Sequence, residues 1–392
     1  MPWMTSKTPG KTAKMTEARP LKVLLDSNIY RHDLTLDRLW FQLLFAQVRQ
    51  GRFGLVLPEI VARETSDLYR RELEKSLRDL GKASRRLRSL RLDVPEPEAI
   101  DFGQKTTEFR QHLESKVIGV GGELTDLPEV PHGPLVDKAI ARQRPFGGSG
   151  SGYRDALIWE GVKAQVAAGE TVALVTSNHK DFASPDGQGL HHDLIAELAE
   201  AGLNLEAVQL YADLETLLKA LVPAEETALH QAAVLLEEGP PLARLENELA
   251  TALSNYPLPD EGRGFLAGLE ISSEGAWIEA LDHVASVEPR SAYSLSEGEV
   301  SVELGVEVDV TVDFLAHKGD LYSAERMYDL GDEIDPPFHI YDYDYNRWMA
   351  AATAPMTLSL TVQTVLKTEP GELSHVEITD IDQAQDQGPQ TG

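Results

Sequence analysis

Short, uninterrupted apolar runs alternate with longer amphipathic stretches through the first half of the chain. The runs Leu21–Leu25, Phe53–Pro58, Val172–Thr176 and Leu205–Leu210 have the length of buried strands and are bounded by turn-forming residues. The helices predicted from apolar spacing between these runs span Leu39–Val48, Pro58–Leu90, Ala99–Val117, Tyr153–Ala167 and Leu194–Ala201, and residues 119–134 are predicted to form a loop. Strands that alternate with helices are typical of a parallel sheet covered on both faces, so we predict an α/β domain.

The second half of the chain carries a different pattern. Apolar and polar residues alternate strictly from Val300 to Phe314, and most of the polar ones are acidic, which predicts a long strand with one buried face and one face in water. Met356–Leu366 alternates in the same way, and His339–Tyr345 and His375–Ile378 are weaker strand predictions. Together with the helical pattern of Glu225–Ser254, these strands predict a separate, smaller α+β domain with an antiparallel sheet.

The domain boundaries follow from these patterns. Residues 1–20 are polar and aperiodic and are expected to form a disordered tail, as are residues 381–392. The α/β domain is predicted over residues 21–222 and the α+β domain over residues 223–380. No apolar run is long enough to span a bilayer, and residues 1–20 lack the apolar segment of a secretory signal. We therefore expect a cytoplasmic protein without membrane contact.

The charge distribution changes what the net charge of −28 implies. A polyanion repels nucleic acid, but the acidic residues are concentrated in the second half of the chain. Residues 1–160 have a net charge of +4, and residues 161–392 have a net charge of −32. Arg63–Arg91 alone holds ten basic residues against five acidic ones. This segment is suited to following a phosphate backbone.

Four acidic residues occupy positions that a parallel α/β sheet would bring together: Asp26, Glu64, Asp155 and Asp181. Each has an ordinary interpretation by itself, as a helix cap, a solvated helix charge or a turn residue. Together they support a functional site better than any one of them does, because ligands of such folds bind beyond the carboxyl ends of the strands. The chain has no cysteine, so a metal site must use oxygen or imidazole ligands. A carboxylate cluster suits Mg²⁺, which prefers oxygen ligands and activates water for phosphodiester hydrolysis.

Four segments resemble, in order, the motif series of the PIN-domain ribonucleases. They are Leu24–Asn28, Pro58–Glu64, Gly152–Trp159 and Val175–Phe182. The chain resembles in particular the larger bacterial PIN-like proteins with an inserted basic helical region. The resemblance covers residues 21–210, roughly half of the chain, and implies a three-layer, parallel-sheet, PIN-like domain.

The resemblance also implies roles for particular residues. Asp26, Glu64 and Asp155 would be metal ligands for Mg²⁺ or Mn²⁺, with a fourth ligand from Asn178 or Asp181. Asn178 stands where many relatives carry aspartate, which leaves one metal ion or two as open alternatives. The predicted catalytic residues are Asp26, Glu64, Asp155 and Asp181; the metal set adds Asn178; and the substrate-binding set includes Ser27, Asn28, Thr176 and Ser177. The set also includes Arg142, Arg144 and Arg154, because guanidinium groups can clamp phosphate, with ordinary surface charge as the open alternative.

Three further features have weaker functional interpretations. Gly147–Gly152 is dense in glycine but lacks the ending of a phosphate-binding loop, so we interpret it as a lid or hinge. His179, His191 and His192 lack metal-ligand spacing with one another. Tyr341, Tyr343 and Tyr345 alternate with acidic residues, which favours packing on a sheet over base stacking.

The leading hypothesis is a metal-dependent endoribonuclease with RNA, rather than DNA, as its nucleic-acid partner. A nuclease that cuts DNA is one alternative, and a non-catalytic RNA-binding or scaffold protein on the same fold is another. A homodimer and a protein partner for the acidic C-terminal domain stay open.

Overall fold

A computed structural model of the chain describes residues 19–92, 94, 99–147, 152–187, 189–237, 240–258, 273–329, 338–343, 345–367 and 372–383. The chain divides into two compact units. The first comprises the residues up to Leu34 together with Gln47–Asp213, and the second comprises Thr35–Ala46 together with the residues from Leu214 onward. The sequence prediction drew a single boundary after Val222. Within the described ranges no helix is both long enough and apolar enough to cross a membrane.

A five-stranded parallel sheet forms the centre of the first unit, in the order β3-β2-β1-β4-β5. The strands are β1 (Leu21–Leu25), β2 (Phe53–Pro58), β3 (Glu123–Thr125), β4 (Val172–Val175) and β5 (Val208–Tyr211). The central strands carry apolar side chains on both faces; in β4 all four residues are buried. Such continuous apolar runs belong to strands covered on both sides, as predicted.

Helices flank this sheet. They are α1 (Ser27–Tyr30), α3 (Glu59–Ser89), α4 (Phe102–Gly119), α5 (His132–Ala141), α6 (Tyr153–Ala167), α7 (His179–Phe182) and α8 (His192–Glu200). A further helix, α2 (Leu39–Arg49), is divided between the two units. The indole of Trp159 in α6 is fully buried and donates to Glu197 Oε2 of α8 at 2.9 Å. The predicted α/β class with a parallel sheet and flanking helices is therefore confirmed.

Two local predictions in this unit are wrong. The stretch 119–134 is not simply a loop, since it contains β3 and the start of α5. β3 has only three residues and none is fully buried, so it carries no apolar run that a sequence pattern could reveal. The predicted strand Leu205–Leu210 begins with a 3-10 turn, and β5 itself starts at Val208. The glycine-rich residues 148–151 lie outside the described ranges.

The second unit is built on an antiparallel sheet in the order β10-β9-β7-β6, with β8 paired to β9. The strands are β6 (Ser273–Ser296), β7 (Glu299–His317), β8 (His339–Asp342), β9 (Met349–Lys367) and β10 (Glu372–Gln383). The even-numbered side chains of β7 from Val300 to Phe314 are buried in one core with α10 (Glu226–Glu237) and α11 (Pro240–Leu253). α9 (Leu214–Leu221) and α12 (Lys318–Asp329) complete the unit. The predicted separate antiparallel domain is confirmed.

The sequence was misleading at two places in this unit. Tyr341, Tyr343 and Tyr345 are 52%, 47% and 53% exposed, so the core of the sheet does not bury them. β8 ends at Asp342, so the alternation beyond it does not continue as a strand. β10 reaches Gln383, whereas a disordered tail was expected over residues 381–392.

Candidate metal centre

The register of two neighbouring strands sets the position of the site. Leu25 at the end of β1 pairs with Val175 at the end of β4, so Asp26 and Thr176 follow side by side at the carboxyl edge of the sheet. The backbone N–H of Asp26 donates to Val175 O at 2.9 Å. This is the edge at which parallel α/β sheets bind ligands.

The Asp26 carboxylate is 4% exposed and is held by neutral donors. Its Oδ1 accepts from the Ser27 backbone N–H at 2.6 Å, and Oδ2 accepts from Asn28 Nδ2 and from the Thr176 hydroxyl, both at 2.7 Å. Asn28 Oδ1 accepts in turn from the Ser177 N–H at 3.2 Å. The turn after β1 and the turn after β4 are therefore tied together through side chains.

Thr176 is the central hydroxyl of this network. It is fully buried, and its Oγ1 also accepts from Asn28 Nδ2 at 3.1 Å and from the Asn178 backbone N–H at 3.0 Å. We predict that Thr176→Val lowers the unfolding free energy of the first unit by about 1–3 kcal/mol, because buried donors lose their acceptor. Thr176→Ser keeps the hydroxyl and is the control. Urea unfolding measures both, and equal losses in the two variants would show that the hydroxyl bonds add no stability.

Asp155 enters the site from the first turn of α6. Gly152, just before this helix, has φ +122, and a Cβ there would lie 2.5 Å from Pro145 O, so only glycine fits. The Gly152 carbonyl accepts the Ala156 N–H at 2.8 Å and starts the helix. Behind Asp155, Ala156 packs in a small core with Leu135 and Phe146. These contacts fix the point from which the Asp155 carboxylate is presented.

Asn178 joins two of the acidic residues. Its Nδ2 donates to Asp155 Oδ1 at 3.2 Å and to Asp181 Oδ2 at 2.9 Å. The other oxygen of Asp181 accepts from Arg144 Nη1 at 2.8 Å. The Arg144 backbone N–H donates to Asp193 Oδ2 at 3.0 Å, which holds this arginine from a second direction.

Glu64 lies in the second turn of α3, close to the end of β2. Its Oε1 is 2.6 Å from Arg154 Nη1, and its side chain also hydrogen-bonds Ser27. The Arg154 side chain is 68% exposed, so this ion pair lies at the solvent edge of the site.

Crowding of the carboxylates changes their proton affinity. Burial, and then the charges of Asp26 and Asp181, raise the pKa of Asp155 to about 6. Burial raises the pKa of Asp26 despite the hydrogen bonds from Thr176 and Ser27. Burial and the charge of Asp26 likewise raise the pKa of Glu64, against the opposing effect of Arg154. The four predicted acidic residues thus lie close enough to influence one another, which was the premise of the sequence argument.

The acidic residues fall into two kinds. Glu64 and Asp181 each have an arginine partner. Asp26 and Asp155 accept only from neutral groups and form no ion pair within the described residues. A carboxylate pair with raised pKa values and no cationic partner is the donor chemistry that a hard divalent cation would satisfy. The residues present therefore fit Mg²⁺ or Mn²⁺.

The remaining predicted residues have different placements. Arg142 is exposed at the end of α5 and forms no ion pair in the described part of the chain. Donor atoms of His191, His192 and Asp193 lie within 4.8 Å of one another, a grouping that the spacing argument missed. The Asp193 N–H already donates to His191 Nδ1, and Asp193 Oδ2 accepts from Arg144. These hydrogen bonds form a helix cap. They already occupy His191 Nδ1 and Asp193 Oδ2, the atoms with which a metal would have to be coordinated.

Sequence reasoning missed how the arginines are used. Arg144 and Arg154 were expected to clamp phosphate or to be surface charges, whereas both contact acidic residues of the cluster in the structure. The signal available was weak, since an arginine next to a carboxylate in sequence says little about pairing across elements.

Comparison with known proteins gives one match. Residues 23–182 match the family model of a PIN domain, a span that contains all four acidic residues of the cluster. No curated protein and no solved structure matches the chain. The match covers less than half of the chain, and together with the sheet topology it shows that the first unit is similar to a PIN domain, a nuclease-type fold that usually works with divalent metal ions.

Proposed function

We propose that this protein is a metal-dependent endoribonuclease that uses Mg²⁺ or Mn²⁺. The observation that carries the proposal is the pair Asp26 and Asp155, two converging carboxylates without a cationic partner in the described residues. A protein that used this edge of the sheet only for structure would gain stability by neutralising or removing one of them.

Each residue of the site has a separate role in the proposed reaction. Asp26 and Asp155 would hold the cation, with Glu64 and Asp181 completing the acidic wall and Asn178 orienting two of the carboxylates. When bound, a divalent cation neutralises phosphate charge and makes a water more acidic. Arg154 at the solvent edge can exchange Glu64 for a phosphate oxygen, since guanidinium binds both anions in the same geometry. Ser27 and Thr176 keep the Asp26 carboxylate in one orientation.

The basic helix α3 supports a nucleic-acid substrate. Five of its cations, Arg63, Arg70, Arg71, Arg78 and Lys82, pair with acidic residues three or four positions away. Lys75, Arg85 and Arg86 are exposed and form no ion pair within the described ranges. The uncompensated positive charge therefore lies in the C-terminal half of the helix. Phosphate contacts from these side chains would give salt-sensitive affinity with little sequence preference.

Metal-dependent cleavage tests the proposal directly. The full chain is incubated with single-stranded RNA and with DNA of the same sequence, in Mg²⁺, in Mn²⁺ and in EDTA. We expect internal cuts in RNA with either metal and none in EDTA. The resemblance of the motifs to PIN-domain ribonucleases favours RNA, and faster cleavage of DNA would change the substrate assignment. Binding of RNA without cleavage under all conditions would point to the non-catalytic alternative.

A further inference from the structure

A pocket of about 610 Å³ adjoins the carboxylate cluster. Its walls come from α7, from the loop that carries Arg144, and from the turn that Ala183 and Leu190 close by an antiparallel bridge. The lining includes Arg144, His179, Lys180, Asp181, Ser184 and His191. The volume lies in the range of pockets that enclose a small molecule.

The pocket and the metal centre share a wall. Asp181 lines the pocket; its Oδ1 accepts from Arg144 at 2.8 Å, and its Oδ2 accepts from Asn178 at 2.9 Å. The same Asn178 Nδ2 donates to Asp155 at 3.2 Å. A group in the pocket would therefore lie one hydrogen-bonded side chain away from the carboxylates that are proposed to hold the cation.

The pocket is lined mainly by basic side chains, whereas the adjoining carboxylate cluster is acidic. Lys180 and His179 are exposed, and their side chains form no hydrogen bond or ion pair within the described residues. Asp181 is the acidic residue among the lining side chains, and its charge is offset by Arg144. An ammonium group without a partner beside a guanidinium favours an anion, and phosphate in particular. The adjoining acidic cluster would repel the same phosphate unless a cation were bound there.

We propose that this pocket binds the nucleotide next to the scissile phosphate, with the phosphate of that nucleotide against Lys180 and Arg144. This inference rests on the proposed nuclease function and narrows its substrate. A volume of about 610 Å³ suits one nucleotide, and a base can enter the pocket only when it is unpaired, so we expect a single strand at this position. Lys180 is then a residue that positions the strand through its phosphate.

Mononucleotide binding tests this assignment without cleavage. The full chain is titrated in Mg²⁺ with uridine 3′-monophosphate and with uridine, and binding is followed by NMR of the ligand. We expect the monophosphate to bind more tightly than the nucleoside. Lys180→Gln should lower the affinity for the monophosphate by about tenfold, because one charge-assisted hydrogen bond is lost. The affinity for uridine should not change. Lys105→Gln makes the same charge change on α4, where Lys105 pairs with Glu108, and should have no effect.

The outcomes separate the two proposals. Equal binding of uridine and its monophosphate, or equal loss in Lys180→Gln and Lys105→Gln, would overturn the pocket assignment even if metal-dependent cleavage is found. Lys180-dependent monophosphate binding in a protein that cuts no RNA would support the pocket and overturn the nuclease proposal instead.

Discussion

Replacing Asp155 with asparagine is expected to lower RNA cleavage by at least about a thousandfold, since a bound cation contributes several kcal/mol to stabilising the transition state. The same change should raise the thermal stability of the metal-free protein. Burial and the charges of Asp26 and Asp181 raise the pKa of the Asp155 carboxyl, so its ionised form destabilises the fold at neutral pH. Asparagine keeps the shape and removes the charge. Activity and stability should therefore move in opposite directions.

Asp137→Asn is the matched control, because it removes an exposed carboxylate from α5 of the same unit. It should change neither cleavage nor melting temperature. The measurements are initial cleavage rates in Mn²⁺ and melting curves in EDTA. An Asp155→Asn protein that cleaves RNA at the parent rate would remove Asp155 from the metal centre. A variant that loses both activity and stability would indicate that Asp155 serves the fold instead.

The fold was predictable where the burial of side chains produces a regular pattern of apolar residues in the sequence. The run Val172–Val175 is buried at every position, and the strict alternation from Val300 to Phe314 matches one buried face. β3 could not be predicted, because its three residues are partly exposed and gain their place by pairing with β2. Tyr343 and Tyr345 show the converse error, since the alternation continues past Asp342 whereas β8 ends there.

The site was predictable to the level of residue type and order. Asp26, Glu64, Asp155 and Asp181 end up in one electrostatic environment, as their places at strand ends and helix starts indicated. Their separation into two kinds was not predictable. It depends on which carboxylate an arginine from another element reaches, and Arg144 and Arg154 reach Asp181 and Glu64 only through the folded arrangement of loops and helices. The metal roles themselves remain proposals.

This separation gives the site a defined charge balance. Glu64 and Asp181 are neutralised within the protein, so the charge left for a cation and a substrate is that of Asp26 and Asp155. A single divalent ion would balance those two charges. A second ion would require Arg144 or Arg154 to leave its carboxylate. The more exposed Arg154 is the one that can do so without loss of buried contacts, and substrate phosphate would then offer it an alternative partner.

The contribution of Asp155 to the stability of the metal-free first unit should fall as the pH rises from about 4 to about 6. The pKa of Asp155 is about 6 in the folded protein and 3.8 in its ordinary state. Because the folded value is the higher one, protonated Asp155 stabilises the fold at low pH, and this stabilisation is lost as the pH rises through the folded value. The loss amounts to at most about 3 kcal/mol. The raised pKa values of Asp26 and Glu64 act in the same direction.

Hydrogen exchange of β1 and β4 measures this effect in the first unit alone, with the parent and Asp155→Asn compared at each pH so that chemical exchange rates cancel. In EDTA, protection of the parent should fall below that of the variant as the pH rises. At a hundredfold excess over its dissociation constant, Mn²⁺ should raise the unfolding free energy of the parent by about 2.7 kcal/mol. The increase in the variant should be much smaller. Parent and variant curves that stay parallel from low to neutral pH would mean that Asp155 carries no buried charge, and the case for a cation between Asp26 and Asp155 would fail with it.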